Sequence, residues 1–393
     1  MARTFDGTTA FAASTLPAHS IRAVATVRLV LGLVALLGAI IFLEGTSWDI
    51  QWHSFIGRDR TLIPPHLMML GGVTLSGIAG LLAVLIESWW ARRNPLLAGH
   101  NLRFATLFNG PLGAYIVGYA ALLAAVAFPL DAYWHTLYGI DVSIWAPFHV
   151  MFISSMGVVA LGALYMLISA AHLASNTALL AAGLKRAANL GAALALATLL
   201  SLLTLLIFDA LDNSNQIGLG FINISVFPLL ASMLVAFVFV VATYALAWRW
   251  AATLVSGFYV CLAVIMAIFV QPATDWLLTI EGLSYKESPP ATSIVALEWF
   301  ITPVVVAILI DVFMRRARRK DWSRRKTVLV LALCALMSGI LPVIVLYPLL
   351  PALLFLQAGI AGFLASAILG FGGAWLGVFF AQNTGETLNV LER

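Results

Sequence analysis

Charged residues are scarce in this 393-residue chain, which has 21 Lys and Arg and 17 Asp and Glu, together 10% of the sequence. Hydrophobic residues make up 62% of it. A soluble globular domain carries far more charge on its surface, so that class of protein is excluded. The composition is instead typical of a chain that crosses a membrane several times.

Cysteine is almost absent. Cys261 and Cys334 are the two cysteines of the chain, and each lies inside an apolar run. We therefore expect neither a disulfide nor a thiolate metal site. A cleavable signal peptide is also not expected, because the segment 1–21 is polar and rich in small side chains, and the first apolar run is long enough to span a bilayer.

Long apolar runs are abundant. A helix satisfies its own backbone hydrogen bonds in lipid, so an apolar run of about 20 residues predicts a transmembrane helix. The sequence thus predicts an all-α fold, a polytopic α-helical integral membrane protein with about ten transmembrane helices. The expected spans are 22–43, 62–86, 105–128, 143–173, 188–208, 219–248, 251–273, 292–313, 327–347 and 355–380.

Basic residues fall mainly on one side of this ten-helix topology, and eight of them lie in 315–326. The positive-inside rule then places both termini in the cytoplasm of a multi-pass protein of the cell (inner) membrane. The basic loop indicates orientation and contact with lipid headgroups, and nucleic acid is not an expected partner. Arg28, near the cytoplasmic end of the first span, is expected to extend its charge to the headgroups.

One stretch, 47–72, occurs twice. Five residues of the first copy recur at one fixed offset in the second, and one inserted residue later His149 matches His66. Repetition of Asp and His in register predicts a duplicated metal-binding hairpin near the outer face of the membrane. The five identities pair Asp131, Trp134, His135, Gly139 and Asp141 with Asp49, Trp52, His53, Gly57 and Asp59.

Each copy is expected to begin with a short interfacial helix. Ser47 can cap a helix over about 48–56 that Gly57 ends. In the second copy Pro129 suits the first turn and Gly139 the end. Asp and His are four residues apart in both copies, so they project from one face of the helix. The third ligand then lies near the start of the next span.

The candidate metal ligands are therefore two sets of one carboxylate and two imidazoles. Such a set suits Fe(II), zinc or copper, and the spacing does not choose among them. Asp59 and Asp141 are candidates for holding an imidazole N–H, or for a turn or helix-cap role. The first set is Asp49, His53 and His66, and the second is Asp131, His135 and His149.

Two other interpretations remain open for these residues. One is an interfacial belt of Trp and Tyr with incidental polar neighbours. The other is haem, with His66 and His149 facing each other as axial ligands, which leaves the repeated Asp residues unexplained.

The segment 52–66, WHSFIGRDRTLIPPH, resembles the signature of the C-type subunit of the copper membrane monooxygenases, the particulate methane and ammonia monooxygenases. The resemblance covers roughly 22–175. It also extends to the family's second site, where Asp131 stands in place of an expected amide residue. The residues that match the signature are Asp49, Trp52, His53, Arg58, Asp59, Pro64 and His66, and those that match the second site are Asp131, His135 and His149.

This resemblance implies copper, with zinc or iron as the alternatives. If the protein is an enzyme, the resemblance implies that the first set holds the catalytic copper, with Arg58 beside it. The reaction would then be oxidation of a small apolar substrate or ammonia with dioxygen. The alternative is a non-catalytic protein that handles, senses or transports copper with the same ligands. Expected partners are the bilayer and either monooxygenase-type subunits or further copies of this chain.

Three regions are expected along the chain. The first, 1–21, is a cytoplasmic tail, and 22–175 holds the duplicated metal-binding region. The remaining region, 176–393, is a transmembrane part whose role the sequence does not indicate.

Overall fold

Long helices dominate the computed structural model, which describes residues 18–57, 60–94, 101–139, 143–175, 181–209, 216–220, 222–246, 248–297, 302–346 and 359–390. The helices are α1 (Ala18–Phe55), α2 (Pro64–Arg93), α3 (Leu112–Tyr138), α4 (Pro147–Ser175), α5 (Ala181–Asp209), α6 (Phe227–Ala245), α7 (Ala251–Glu281), α8 (Ile294–Leu297), α9 (Thr302–Arg319), α10 (Arg324–Leu346) and α11 (Gly359–Val390). Two antiparallel hairpins complete the fold, β1 (Leu102–Phe104) with β2 (Phe108–Gly110) and β3 (Gln216–Gly218) with β4 (Asn223–Ser225).

Eight helices in the described part of the chain are long and apolar enough to cross a membrane, namely α1 to α7 and α11. The protein is therefore a multi-pass, α-helical membrane protein. The predicted spans 292–313 and 327–347 overlap α9 and α10. Basic residues crowd the end of α9 and the start of α10, which shortens their apolar stretches. The count of ten transmembrane helices stays a prediction.

Two predicted spans begin too early in the sequence. The span 105–128 includes part of the β1–β2 hairpin, and the span 219–248 includes part of the β3–β4 hairpin. Both hairpins pair three residues per strand and lead directly into a helix. Apolar residues in the hairpins extended the hydrophobic runs, because hydropathy does not distinguish a short strand from the first turn of a helix.

Close helix crossings hold α1 against its neighbours. Gly38 on α1 faces Gly72 on α2, and a Cβ on either glycine would collide with the backbone of the other helix. Ser76 also donates a hydrogen bond to the Ala35 carbonyl, at 2.9 Å, across this crossing. Small residues permit this approach in a membrane, where packing rather than the hydrophobic effect drives helix association.

The separate interfacial helix predicted over 48–56 does not exist. Helix α1 runs without a break from the membrane span to Phe55, and Ser47 lies inside it rather than at a cap. Gly45 does not interrupt the helix, no proline lies between it and Phe55, and Gly57, with φ of +66°, ends the helix as predicted. At about 1.5 Å per residue the 38-residue helix is about 57 Å long, well beyond a hydrocarbon core of about 30 Å.

The second copy behaves in the same way. Pro129 is not in a first turn but inside α3, which continues to Tyr138. One missing N–H does not end a helix whose flanking residues keep their backbone bonds. Gly139, with φ of +84°, ends the helix as predicted.

Arg28 does not extend to the lipid headgroups. Its side chain is 1% exposed and forms a bidentate pair with Glu87 of α2, with Nε–Oε1 and Nη2–Oε2 distances of 2.9 and 2.8 Å. Nη2 also donates to Asn101 at 2.6 Å, and Nη1 donates to Ser169 of α4. The guanidinium therefore joins three parts of the fold, a role that a buried Arg can fill only with a paired carboxylate.

Candidate metal centre

The first centre, Asp49, His53 and His66, lies where α1 ends and α2 begins. Asp49 and His53 lie in the last two turns of α1, and His66 lies in the first turn of α2, behind Pro64 and Pro65. Asp49 Oδ1 is 3.4 Å from His53 Nε2 and 3.0 Å from His66 Nε2. One carboxylate oxygen thus has two imidazole nitrogens directed at it.

The second centre, Asp131, His135 and His149, has the same construction. Asp131 and His135 lie near the end of α3, and His149 lies in the first turn of α4. The carboxylate oxygens of Asp131 are 3.3 Å from His135 Nε2 and 3.4 Å from His149 Nε2. The two imidazole centroids are 5.8 Å apart, compared with 5.9 Å in the first centre.

Backbone carbonyls fix the orientation of three of the four imidazoles. His66 Nδ1 donates to Thr61 O at 3.2 Å, and His149 Nδ1 donates to Ser143 O at 2.8 Å. Thr61 and Ser143 occupy matching positions of the two copies, so the repeat extends to these contacts. His135 Nδ1 donates to Gly139 O at 3.0 Å. A carbonyl only accepts hydrogen bonds, so each of these Nδ1 atoms carries the ring proton.

This tautomer determines what each centre requires. In a neutral ring with the proton on Nδ1, the Nε2 atom presents a lone pair. That lone pair points at a carboxylate oxygen, so two acceptors face each other unless a cation lies between them. Asp49 Oδ1 and Asp131 Oδ1 are buried, and neither accepts a hydrogen bond of good geometry from the described residues. A proton on one ring would pair that imidazolium with the carboxylate but leave the other Nε2 without a donor role, and protons on both rings would leave two positive charges against one carboxylate.

A single metal ion fits the donors of each centre. The three candidate ligand atoms in each set all lie within 4.8 Å of one another. Ligands bound to one ion at about 2.0–2.2 Å lie about 3–4 Å apart, so only a small contraction is required. Three protein ligands also leave at least one coordination position open, as catalytic metal sites do.

The two centres are adjacent. A small cavity of about 50 Å³ lies between them, and it is lined by Asp49 and His53 of the first centre and by His149 of the second. Phe128 of α3 packs edge-on against His66, with ring centroids 5.9 Å apart. Thr46 and five apolar side chains form the rest of the lining, namely Ile50, Met69, Ile144, Phe152 and Ile153. A water-sized or diatomic molecule fits this space.

Three of the predicted site residues, Arg58, Asp59 and Asp141, lie outside the described residues. Arg60, the next residue after Asp59, pairs with Glu281 of α7. Glu44 was not predicted as a site residue, yet it is 4% exposed one turn before the first centre, with both carboxylate oxygens buried. The signal was present, since a Glu inside an apolar helix is unusual, but the predicted span ended at residue 43 and so left Glu44 in a loop.

Fold and site together define a polytopic α-helical membrane protein with two adjacent Asp-His-His candidate metal centres. Comparison with protein families, with curated proteins and with solved structures finds no match for this chain.

Proposed function

We propose that each centre binds one transition-metal ion, and that the hairpins that carry them arose by duplication. The observation that carries this proposal is the convergence of two Nε2 atoms on one half-buried carboxylate in each centre, with Nδ1 already held by a carbonyl in His66, His135 and His149. Metal-binding histidines are oriented in this way by a hydrogen bond at the other ring nitrogen.

Copper is the metal that we propose for both centres. Two imidazoles and a carboxylate suit copper, zinc and Fe(II), so the choice rests on the resemblance of 52–66 to the C-type subunit of the monooxygenases. The direct test is metal analysis of the purified chain together with EPR after oxidation. About two copper ions per chain, with nitrogen couplings from imidazole, is the expected result. Zinc in both centres under copper-replete growth would contradict it.

Oxidation of a small apolar substrate or ammonia with dioxygen is the function that we propose for this pair of centres. Asp49, His53 and His66 would hold the copper that supplies the redox chemistry. Phe152, Ile144 and Ile153 would exclude bulk water from the cavity between the centres. His149, at the opposite wall, would hold the second ion close to the bound molecule. Comparing oxygen uptake with and without candidate substrates tests this function.

A second candidate is copper handling without catalysis. His149 is 25% exposed, whereas His66 at the equivalent position is 14% exposed, so the second centre is more open to solvent or to a partner. An open centre suits capture and release of an ion. Transfer of copper to a chelator, faster from the second centre than from the first and without oxygen uptake, would favour this function.

Replacement of Asp131 by Asn, the residue type expected from the resemblance, tests the metal preference of the second centre. The amide removes a negative charge and keeps two imidazoles, so we expect the copper-over-zinc selectivity of that centre to rise about tenfold. Copper at the first centre should be unchanged. The measurement is a zinc-against-copper competition read for each centre by EPR and metal analysis. Unchanged selectivity, or loss of copper from the first centre, would contradict the prediction.

Both centres are proposed to face the outside of the cell membrane, with both termini in the cytoplasm. Ser54 and Thr136 are exposed near the two centres, and Ser323 is exposed between α9 and α10. In a chain without its native cysteines, Cys at Ser54 or Thr136 should react with a membrane-impermeant thiol reagent in intact cells. Cys at Ser323 should react only after lysis. The reverse pattern would show the opposite orientation.

A further inference from the structure

The helix end that carries the first centre has two opposite faces. Asp49 and His53 project from one face towards α2. Ser47 and Gln51, each two residues from a ligand, project from the opposite face, and both side chains are fully buried. Residues two apart on a helix differ by about 200° in direction, so these polar groups do not line the metal centre. They contact the C-terminal half of the chain instead.

Both the nitrogen and the oxygen of the Gln51 side-chain amide form hydrogen bonds. Its Nε2 donates to Gln271 of α7 at 2.5 Å, and its Oε1 accepts the backbone N–H of Ile294, the first residue of α8, at 3.1 Å. The hydroxyls of Ser47 and Ser293 lie 3.0 Å apart. The same face also packs Trp48 edge-on against Phe269, with ring centroids 5.7 Å apart. Helix α1 is thus fixed to two elements of the second half.

The loop 282–293, which joins α7 to α8, completes this contact. The backbone N–H of Lys286 donates to the carbonyl of Phe55, the last residue of α1, at 2.9 Å. The Tyr285 hydroxyl accepts from Gln271 at 2.9 Å and donates to Asp275 at 2.5 Å. Partial burial and the hydrogen bond to Asp275 raise the pKa of Tyr285 to about 12, so its hydroxyl keeps its proton at neutral pH.

The internal repeat supplies a comparison. Gln51 corresponds to Tyr133 in the second copy, which is 61% exposed. Phe55 corresponds to Leu137, which is 55% exposed. Among the described residues, the face of α3 that corresponds to the face of α1 with Ser47 and Gln51 is therefore exposed. The ligands of both centres nevertheless have the same geometry. Within the described part of the chain, α7, α8 and the loop 282–293 support the first centre and not the second.

We propose that Gln51 is a positioning residue for the first metal centre, through which the C-terminal half of the chain holds Asp49 and His53 in the binding geometry. The inference rests on the proposed function in one respect, since it requires that the centres bind metal. It assigns a role to 176–393, and it predicts that the first centre has the higher affinity because its ligands are held before the ion arrives.

The test measures each centre separately in the full chain. His149→Ala leaves the first centre to be titrated with copper, and His66→Ala leaves the second. Gln51→Leu, which keeps the size of the side chain and removes the amide, is added to each background. We expect the copper dissociation constant of the first centre to rise about 10- to 100-fold, because removal of an outer residue that orients metal ligands has an effect of this size. The copper EPR parameters of that centre should change as well.

The second centre of Gln51→Leu and three further variants accompany this measurement. The second centre of Gln51→Leu should keep its affinity, which shows that the chain is folded. Gln51→Met keeps the length of the side chain but has neither the donor to Gln271 nor the acceptor for Ile294, so it should lose as much affinity as Gln51→Leu, whereas a role in packing alone would spare it. Tyr133→Leu, the matched change in the second copy, should leave the second centre unaffected. Tyr285→Phe removes one hydroxyl from the loop and should weaken the first centre in the same direction.

The outcomes separate the two proposals. If the His149→Ala and His66→Ala chains bind no metal, the proposed function fails. If both bind metal and Gln51→Leu leaves the first centre unchanged, the positioning role is wrong. Equal losses at the two centres would also overturn it, because they would indicate a general loss of stability.

Discussion

Replacement of His66 by Ala is expected to empty the first centre and reduce copper from about two ions per chain to about one. His66 supplies the donor that approaches Asp49 most closely, at 3.0 Å, and it is the ligand from α2 that closes the centre against α1. Without it, two ligands on one helix remain. Removal of a residue that only orients a ligand already lowers metal affinity by about 10- to 100-fold. Removal of a ligand itself should therefore lower the affinity by more than that. Metal analysis after dialysis against a weak chelator measures the effect.

The repeat provides the matched controls. His149→Ala should remove the other ion, and the double variant should bind no copper at either centre. His172, which lies near the far end of α4, is not a candidate ligand, so His172→Gln should retain the copper content of the parent. His53→Ala should give the same loss as His66→Ala. If both first-centre variants retain the parent's copper content, these histidines are not ligands and the aromatic-belt interpretation is correct.

The sequence was sufficient to predict which residues converge. An i, i+4 pair of Asp and His lies on one helix face whatever surrounds it, and a turn of fixed length brings the next helix start to that face. Repetition of this pattern from Asp131 onwards favoured a site over incidental polar residues. For the same reason the glycines that end the helices, Gly57 and Gly139, were identified correctly. These features depend on local geometry, which a single sequence determines.

Features that depend on distant contacts were not predictable. Ser47 lies inside α1, where its hydroxyl contacts that of Ser293, 246 residues away, so a polar residue with a distant partner was taken for a cap. Arg28 was assigned to the headgroups because Glu87 lies 59 residues away in the sequence, and only the crossing of α1 and α2 brings the two together. The support of Gln51 by Gln271 involves residues 220 apart. No local periodicity carries this information.

Replacement of Arg28 by Met should destabilise the fold by about 3–5 kcal/mol, because it leaves the Glu87 carboxylate buried without its partner. Arg28 and Glu87 are each 1% exposed, and both guanidinium–carboxylate bonds are shorter than 3 Å. Glu87→Leu should cost a similar amount by leaving the guanidinium unpaired. The measurement is reversible unfolding of the full chain in mixed micelles, followed by a spectroscopic probe such as tryptophan fluorescence.

The double variant separates the ion pair from simple packing. In Arg28→Met with Glu87→Leu no buried charge is left, so we expect a cost below about 2 kcal/mol, less than that of either single change. The remaining cost has a specific source, since Asn101 and Ser169 also lose the guanidinium donor. Arg22→Met, an exposed change on the same helix, should alter stability by less than about 0.5 kcal/mol. Additive losses in the double variant would mean that the two side chains stabilise the fold independently. A loss that is smaller in the double variant than in the singles would show that the pair itself is the unit that joins α1 to α2.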